Sequence, residues 1–308
     1  MNGVNTPRVL SIQSHVVSGY VGNKSATFPL QLLGFEVDVI NSVQLSNHTG
    51  YKVFKGQVLN DEDLSQLIDG LAENNLDNYT HLLTGYVGSA SFLRRIAQVV
   101  KNLKQKNPKL VYACDPVMGD NGKMYVPAEL KDIYKNEIVP LADILTPNHF
   151  ELELLLGKKI KTMSELKDGI QELHKMGPKT VAISSTDIDE KLTSIVSTAK
   201  DNKVIKIDVP VIPAVYTGSG DLFAALFLAH TYLEDNVKTA FENTINSLHD
   251  VLLKTYEHSL AFYNELMRIV VTGLKDENLQ RARKIELRLV QSKKLIENPS
   301  KKLLAKDF

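Results

Sequence analysis

At 308 residues, 43% hydrophobic and 23% charged, the chain is long enough to bury a substantial core, as one large domain or two small ones. Thirty-six lysines and arginines balance 36 aspartates and glutamates, and a formal net charge of zero supplies none of the broad positive field of a nucleic-acid binder. The single cysteine, Cys114, excludes an intrachain disulfide and a Cys-rich zinc site, so a reducing compartment, the cytoplasm, is expected.

The opening stretch MNGVNTPRVLSIQSH lacks a basic segment followed by a long apolar run. No later stretch approaches the roughly 20 apolar residues that span a bilayer, so neither secretion nor membrane insertion is expected. RVLSIQSH (8–15) and EVDVINSVQ (36–44) read as the first strands. DEDLSQLIDGLAENN follows as a helix in which Leu64, Leu67, Ile68 and Leu71 share one face. Strands HLLTGY (81–86) and KLVYACDPV (109–117) flank the helix SFLRRIAQVVKNLKQK, and ADILTPN (142–148) and TVAISST (180–186) flank MSELKDGIQELHKM. VIKIDVPV (204–211) is the last strand. After residue 219 the pattern is helical throughout, in LFAALFLAHTYL, VKTAFENTINSLHDVLLKTYEHSLAFYNELM and the charged RARKIELRLVQSKKL.

This alternation predicts βαβ units and a mostly parallel central sheet flanked by helices, a three-layer α/β/α architecture. No repeat, low-complexity tract or long linker interrupts it, which predicts a single domain over 1–308. Ligands in such sheets bind beyond the carboxyl ends of the strands, and the unusual residues of this chain gather there.

After the first strand, SIQSHVVSGYVGNKSA runs through glycine turns into TFPLQLLG; after the second, NSVQLSNHTGY presents Ser46, Asn47, His48 and Thr49. These groups suit a small heterocycle, and His15 and His48 equally suit satisfied turn histidines. DPVMGDNG places Asp115 and Asp120 among turn residues, where they could hold a hard cation such as Mg²⁺ or simply shape two turns. In TPNHFELELL, Thr146 ends a strand and Glu151 enters the next helix, where a negative charge is favourable whatever the function. Ser184, Ser185 and Thr186 add hydroxyls suited to phosphates.

YTGSGDLFAA (216–225) follows the last strand, so Gly218, Ser219, Gly220 and Asp221 occupy a strand-to-helix turn. Free amides and the positive end of a helix dipole make such a turn an anion site, although Asp221 there would stabilise any helix. Other phosphate signatures fail: the dinucleotide-binding pattern needs glycine where Phe223 stands, and GYVGNKS puts Asn23 between Gly22 and Lys24. His-Arg-Asp and Asp-Phe-Gly tripeptides are absent, which removes a protein kinase.

Taken together, SIQSHVVSGYVGNKSATFPLQLLGFEVDVINSVQLSNHTGY, LLTGY, CDPVMGD, TPNHFELELL, GSGDLFAA and ELRLVQSK resemble the pyridoxal kinase family of the ribokinase-like superfamily, from about residue 8 to the carboxyl terminus and most closely its animal members. The resemblance implies a cytosolic, homodimeric transferase of vitamin B6 salvage. Such an enzyme moves the γ-phosphoryl group of ATP to the 5′-hydroxymethyl group of pyridoxal, pyridoxine or pyridoxamine. It implies Asp221 as base and Gly218, Ser219 and Gly220 as anion hole. Ser14 and Thr49 would contact the pyridine ring, with Val21, Val43 and Tyr86 lining the pocket. Asp120 matches a Mg²⁺ position, and Asp115, Thr146, Glu151 and Ser184 match groups around ATP and a monovalent cation, K⁺ or Na⁺. Asn148 and Ser185 match phosphate contacts, while Ile212, Pro213 and Ala214 cover the adenine side.

Ser219 stands where threonine is frequent in the family and keeps the hydroxyl; DNGKMYVP and TDIDEKLTS are shorter than in some animal relatives, near nucleotide or lid regions. The alternatives are a hydroxymethylpyrimidine kinase and a non-catalytic B6-binding protein, against which the presence of both Asp221 and Asp120 speaks.

Overall fold

The structure, a computed structural model, describes residues 6–201, 203–269 and 286–308, the side chains of 262–269 excepted. From the amino end run β1 (Arg8–Val16), α1 (Asn23–Leu32), β2 (Glu36–Leu45), β3 (Gly56–Val58) and α2 (Asp61–Glu73). There follow β4 (His81–Thr84), α3 (Ala90–Lys106), β5 (Val111–Cys114), the hairpin strands β6 (Gly119–Asp120) and β7 (Lys123–Met124), and α4 (Leu130–Ile133). Next come β8 (Ile144–Leu145), α5 (His149–Leu156), α6 (Met163–Met176), β9 (Thr180–Thr186), β10 (Thr193–Thr198) and β11 (Lys203–Asp208). The chain closes with α7 (Ser219–Leu233), α8 (Val237–Ile269), α9 (Lys293–Glu297) and β12 (Lys306–Asp307).

Ten strands form one sheet in the order β12-β11-β10-β9-β8-β5-β4-β1-β2-β3. The six from β9 to β2 are parallel, and the flanking β10, β11, β12 and β3 pair antiparallel. Alternation along each strand divides the apolar residues between two faces. Leu10, Ile12, Leu82, Tyr112, Leu145, Val181 and Ile183 pack on one side with residues of α2 to α6. Val9, Leu83, Ala113, Ile144, Ala182 and Val196 pack on the other with residues of α1, α7 and α8. The three-layer α/β/α expectation is met.

Helix α7 is apolar all round and buried from Leu222 to His230, as expected of a helix held between a sheet and other helices. Its neighbours α1 and α8 shield it from solvent, so its amino end is held by the core rather than by a surface cap.

Several strands are shorter than the sequence pattern suggests. The segments 81–86, 109–117 and 142–148 are strand only over 81–84, 111–114 and 144–145, and 204–211 over 203–208. Pro116, Pro147 and Pro210, which have no N–H for a ladder, stand just beyond three of these ends. Strand β10 is an unexpected addition: four of the six residues of TSIVST carry hydroxyls, yet Thr193 to Ser197 are buried between antiparallel neighbours. Leu67 is exposed, because it lies at the margin of the α2 stripe that Leu64 and Ile68 bury. Of RARKIELRLVQSKKL, 281–285 lie outside the described residues, Glu286 to Leu289 are irregular, and α-helix begins only at Lys293. No described helix is long and apolar enough to cross a membrane.

Phe227 is fully buried on α7, with its ring centroid 5.9 Å from that of Phe223 and 6.4 Å from that of Phe241. Phe227→Ala is expected to cost about 3–5 kcal/mol of unfolding free energy in urea denaturation, the usual loss for an aromatic core truncation.

Candidate active site

The long helices start in two different ways. Asn60, Ser89, Asn148, Thr162 and Asn236 each accept an amide of the first turn with a side-chain oxygen, capping α2, α3, α5, α6 and α8. Helices α1 and α7 begin instead at Gly22 and Gly218, with no side-chain cap. At α1 the Lys24 and Ser25 amides turn back onto the Val21 and Gly22 carbonyls at 3.2 and 2.9 Å, whereas at α7 the first amides remain available, with the positive end of the helix dipole behind them.

The two uncapped ends meet. Asp221, in the first turn of α7, accepts the Gly22 N–H at 2.8 Å, and Ser25 Oγ of α1 donates to the Gly218 carbonyl at 3.0 Å. Both glycines are required by shape. Gly218 has φ 86° and a Cβ there would overlap the Tyr20 carbonyl; Gly22 has φ 53° and its Cβ would overlap the Ser14 carbonyl. The end of β1, the start of α1 and the start of α7 thus pack backbone against backbone at the two glycines, with Asp221 and Ser25 bonding across the junction.

Beyond β5 and β8 lies a group of carboxylates. Asp115 is buried and accepts the Thr146 hydroxyl at 3.3 Å. Glu151 is buried; one oxygen accepts the Met118 and Gly119 amides at 2.9 and 3.4 Å, and the other accepts the Asn148 N–H at 2.9 Å. Burial pushes the Glu151 carboxyl up to about 7, against the pull of those three amides and with some help from Asp120. Burial, then the charges of Glu151 and Asp221, hold Asp115 well above the usual carboxylate range. Burial also raises Asp221, opposed by the Gly22 amide, although its edge stays partly accessible. Asp120 is exposed on the β6–β7 hairpin, held by the Asn121 amide and side chain at 2.8 and 3.0 Å, and partial desolvation raises it.

A cavity of about 310 Å³ opens on the other side of the α7 start. Ser184, Ser185, Ile212, Ala214, Ser219 and Gly220 line it, joined by Leu192, Phe223 and a stripe of α8. Asn148 is not on its wall; its side chain caps α5 and donates to the Gly119 carbonyl at 2.8 Å. Pro213 is exposed and also off the wall.

The residues expected to hold a ring occupy the carboxyl ends of β1, β2 and β4. Ser14 is half-buried beneath Gly22, Val21 and Val43 are buried, and Tyr86 is half-buried, its carbonyl accepting the Ser42 hydroxyl at 2.9 Å. Thr49 is exposed in the loop after β2.

Two contributors were missed. The Gly22 amide lies in a segment whose sequence reads as glycine turns near a heterocycle and fails as a Walker loop, with no role given to Gly22 itself, although a glycine just past a strand was signal enough. His249 lines the cavity with Ile245, Leu248 and Leu252, and that helical spacing was visible in the sequence.

A parallel sheet with an uncapped helix, buried carboxylates and an apolar cleft meeting at its carboxyl edge suits phosphoryl transfer to a small molecule. A family model described as phosphomethylpyrimidine kinase matches residues 31–261. Pyridoxal kinase of Homo sapiens is 48% identical, with 95% of this chain and 96% of the relative covered. The Arabidopsis thaliana pyridoxal kinase is 47% identical over 98% and 95%. Among solved structures, pyridoxal kinase from Leishmania donovani in complex with ADP and pyridoxine superposes with a TM-score of 0.85 at 34% identity, covering 98% of this chain and 99% of that one. The chain belongs to the pyridoxal kinase family and is a kinase.

The raised carboxylates carry a sign for stability. A buried carboxyl with a raised folded pKa binds more protons folded than unfolded, so its contribution to stability falls as pH rises from the ordinary value, 3.8 for Asp115 and 4.5 for Glu151, through the folded one. His81 and His230, lowered by burial to about 4, act oppositely below their ordinary 6.5. A comparison of variants removes that background. The Tm of Asp115→Asn relative to the parent, in metal-free buffer, is expected to increase as pH rises above the ordinary carboxylate value; scanning fluorimetry at several pH values checks it, and a constant difference would contradict the charge argument.

Proposed function

We propose that the chain transfers the γ-phosphoryl group of ATP to the 5′-hydroxymethyl group of pyridoxal, pyridoxine or pyridoxamine. The observation that carries this is the uncapped start of α7, which presents Asp221 and free amides between the apolar cavity and the ends of β1, β2 and β4. ADP- and pyridoxine-bound Leishmania donovani pyridoxal kinase, which shares the fold, supports the same pairing of ligands.

In this reading Asp221 accepts the proton of the 5′-hydroxyl as that oxygen attacks phosphorus. Burial raises its pKa, which suits the task, because a stronger base takes the alcohol proton more readily. The Gly22 amide fixes which carboxylate oxygen faces the substrate. The amides of Gly218, Ser219 and Gly220 stabilise charge on the transferring group. Ser14 and Thr49 orient the pyridine ring, and Val21, Val43 and Tyr86 form its apolar surround. Ser184, Ser185, Asn148, Ile212, Pro213 and Ala214 belong to the nucleotide side, the last three as cover for the adenine.

The carboxylates fit cations. Among the described residues no lysine or arginine offsets Asp115, Glu151 or Asp221. Nor do three His, Cys, Asp or Glu side chains form a ready cage, so an ion would complete its shell with hydroxyls, phosphate oxygens and water. Asp120 is assigned to Mg²⁺, and Asp115, Thr146, Glu151 and Ser184 to a monovalent cation, K⁺ or Na⁺. Bound cations supply charge neutralisation on the phosphates.

We also propose a single kinase domain over 1–308, since both apolar layers share one sheet. A cytoplasmic setting is consistent with the free, buried Cys114. For a homodimer, the sheet edge at β3 supplies a surface, with Val53, Phe54 and Val58 exposed.

Because the family model is described by phosphomethylpyrimidine kinase, a hydroxymethylpyrimidine substrate is the second reading. Incubation of the purified chain with ATP, MgCl₂, KCl and either heterocycle decides between them, with pyridoxal 5′-phosphate the expected product; turnover of the pyrimidine alone would reverse the assignment. Asp221→Asn is expected to keep the fold and lower kcat by on the order of 10² or more. Near-parental turnover would remove Asp221 from its role. Asp120→Ala is expected to shift the Mg²⁺ titration to higher concentration, and an unchanged titration would argue against that ligand.

A further inference from the structure

We infer that Glu286 is a positioning residue that ties together the two loops on the vitamer side of the site. The inference rests on the proposed activity for its kinetic consequence, though not for its geometry. Glu286 lies far along the chain from both loops. One carboxylate oxygen accepts the Tyr20 N–H at 3.1 Å; the other accepts the Tyr51 hydroxyl at 3.0 Å and lies 3.2 Å from His48 Nε2. His48 Nδ1 accepts the Gly50 N–H at 3.1 Å, which leaves the ring proton on Nε2, close to the carboxylate but out of line for a hydrogen bond. A Cβ on Gly19 would overlap the carboxylate, so glycine leaves room for it. The Glu286 side chain is only 15% exposed, where contacts to a charged acceptor weigh more than at the surface.

The position of these contacts suggests their purpose. The loop after β1 carries Tyr20 and, two residues on, Gly22, whose N–H holds Asp221; the Tyr20 carbonyl lies against Gly218. The loop after β2 carries Thr49 between His48 and Gly50. Backbone bonds from Val17 to Leu45 and from Ser18 to Ser46 join the two loops at their bases. Past Ser18, Glu286 links them further out. It has a firm footing, since Leu287 and Leu289 are buried in a small core with Leu222 and Leu226 of α7. Glu286 therefore references both loops to the helix that carries Asp221, and a loosened link would blur the position of the hydroxymethyl group while leaving the nucleotide cavity alone.

Both arms require a carboxylate of this length. Aspartate is one methylene too short to reach both loops, and glutamine has a single acceptor oxygen for the two donors.

The test compares Glu286→Ala and Glu286→Gln with the parent in steady-state kinetics, varying pyridoxal and ATP separately, and in amide hydrogen exchange. For Glu286→Ala the KM for pyridoxal is expected to rise about tenfold or more with the KM for ATP within about twofold, and Glu286→Gln to recover part of the loss. Exchange is expected to quicken over 17–23 and 46–51 and to stay unchanged over 209–216. Equal changes in both KM values, or unaltered exchange in the two loops, would overturn the inference. If Glu286→Ala does not fold, Tyr51→Phe removes one arm alone and is expected to shift the pyridoxal KM in the same direction by a smaller factor; no shift would count against the role. Should the parent fail to phosphorylate pyridoxal, the proposed activity falls, and the exchange comparison still decides whether Glu286 holds the loops.

Discussion

Asp115, Glu151 and Asp221 share a poorly hydrated region in which the charges of Glu151 and Asp221 raise the cost of ionising Asp115, and among the described residues no lysine or arginine pairs with any of the three. Few arrangements tolerate this, because desolvating a carboxylate without a partner is among the most expensive operations in a protein. The fold pays through its backbone. Glu151 takes three amides and sits in the first turn of α5, and Asp221 takes the Gly22 amide and sits in the first turn of α7. Two helix dipoles and four N–H groups thus stand in place of side-chain cations.

That arrangement requires helices to start where strands end, on one edge of one sheet. Parallel strands meet the requirement because each crossover returns the chain to the same end. Strands β1, β4, β5 and β8 deliver Ser14, Tyr86, Asp115 and Thr146 to that edge. Helix α7 follows the antiparallel β11 and could have started anywhere along the edge. Its apolar circumference fixes it in the layer, and Gly218 and Gly22 allow it to press against the β1–α1 turn with no side chain between. The buried helix and the bare glycine contact are two halves of one device that places Asp221.

Much of this could be read from residue order. MSELKDGIQELHKM was legible to the residue, with Thr162 and Glu165 at its capped start and Gly177 beyond its end. The uncapped start of α7 was equally visible, since Gly218 stands where the other long helices place a capping side chain. What was not legible is long-range. The Gly22–Asp221 bond spans 199 positions and the Glu286–Tyr20 bond 266, and local periodicity carries no information about either. Strand β10 escaped because burial between two antiparallel partners removes the polar–apolar alternation by which a strand is recognised, and Leu67 misled because a two-turn stripe leaves its marginal leucine to solvent. Pro213 is assigned to the adenine side by resemblance alone, and its exposure could not be read from the local sequence.

The unpaired charge also bears on the order of events. ATP brings several negative charges to an edge that already holds three desolvated carboxylates, and the amides at the start of α7 amount to roughly half a positive charge. Under the proposed reading, nucleotide and cations must therefore bind with positive coupling, because each relieves repulsion the other would face alone. The pyridine side is different: Ser14, Val21, Val43 and Tyr86 form a mostly neutral surround, and a neutral hydroxymethyl group adds no charge until its proton begins to leave. As the proton moves to Asp221, negative charge shifts from carboxylate to the attacking oxygen and on to the phosphoryl group, toward the free amides. Under the proposed reading the carboxylates that make the site expensive thus favour the direction in which charge moves during transfer, and cations bound beside them would hold ATP where that charge arrives.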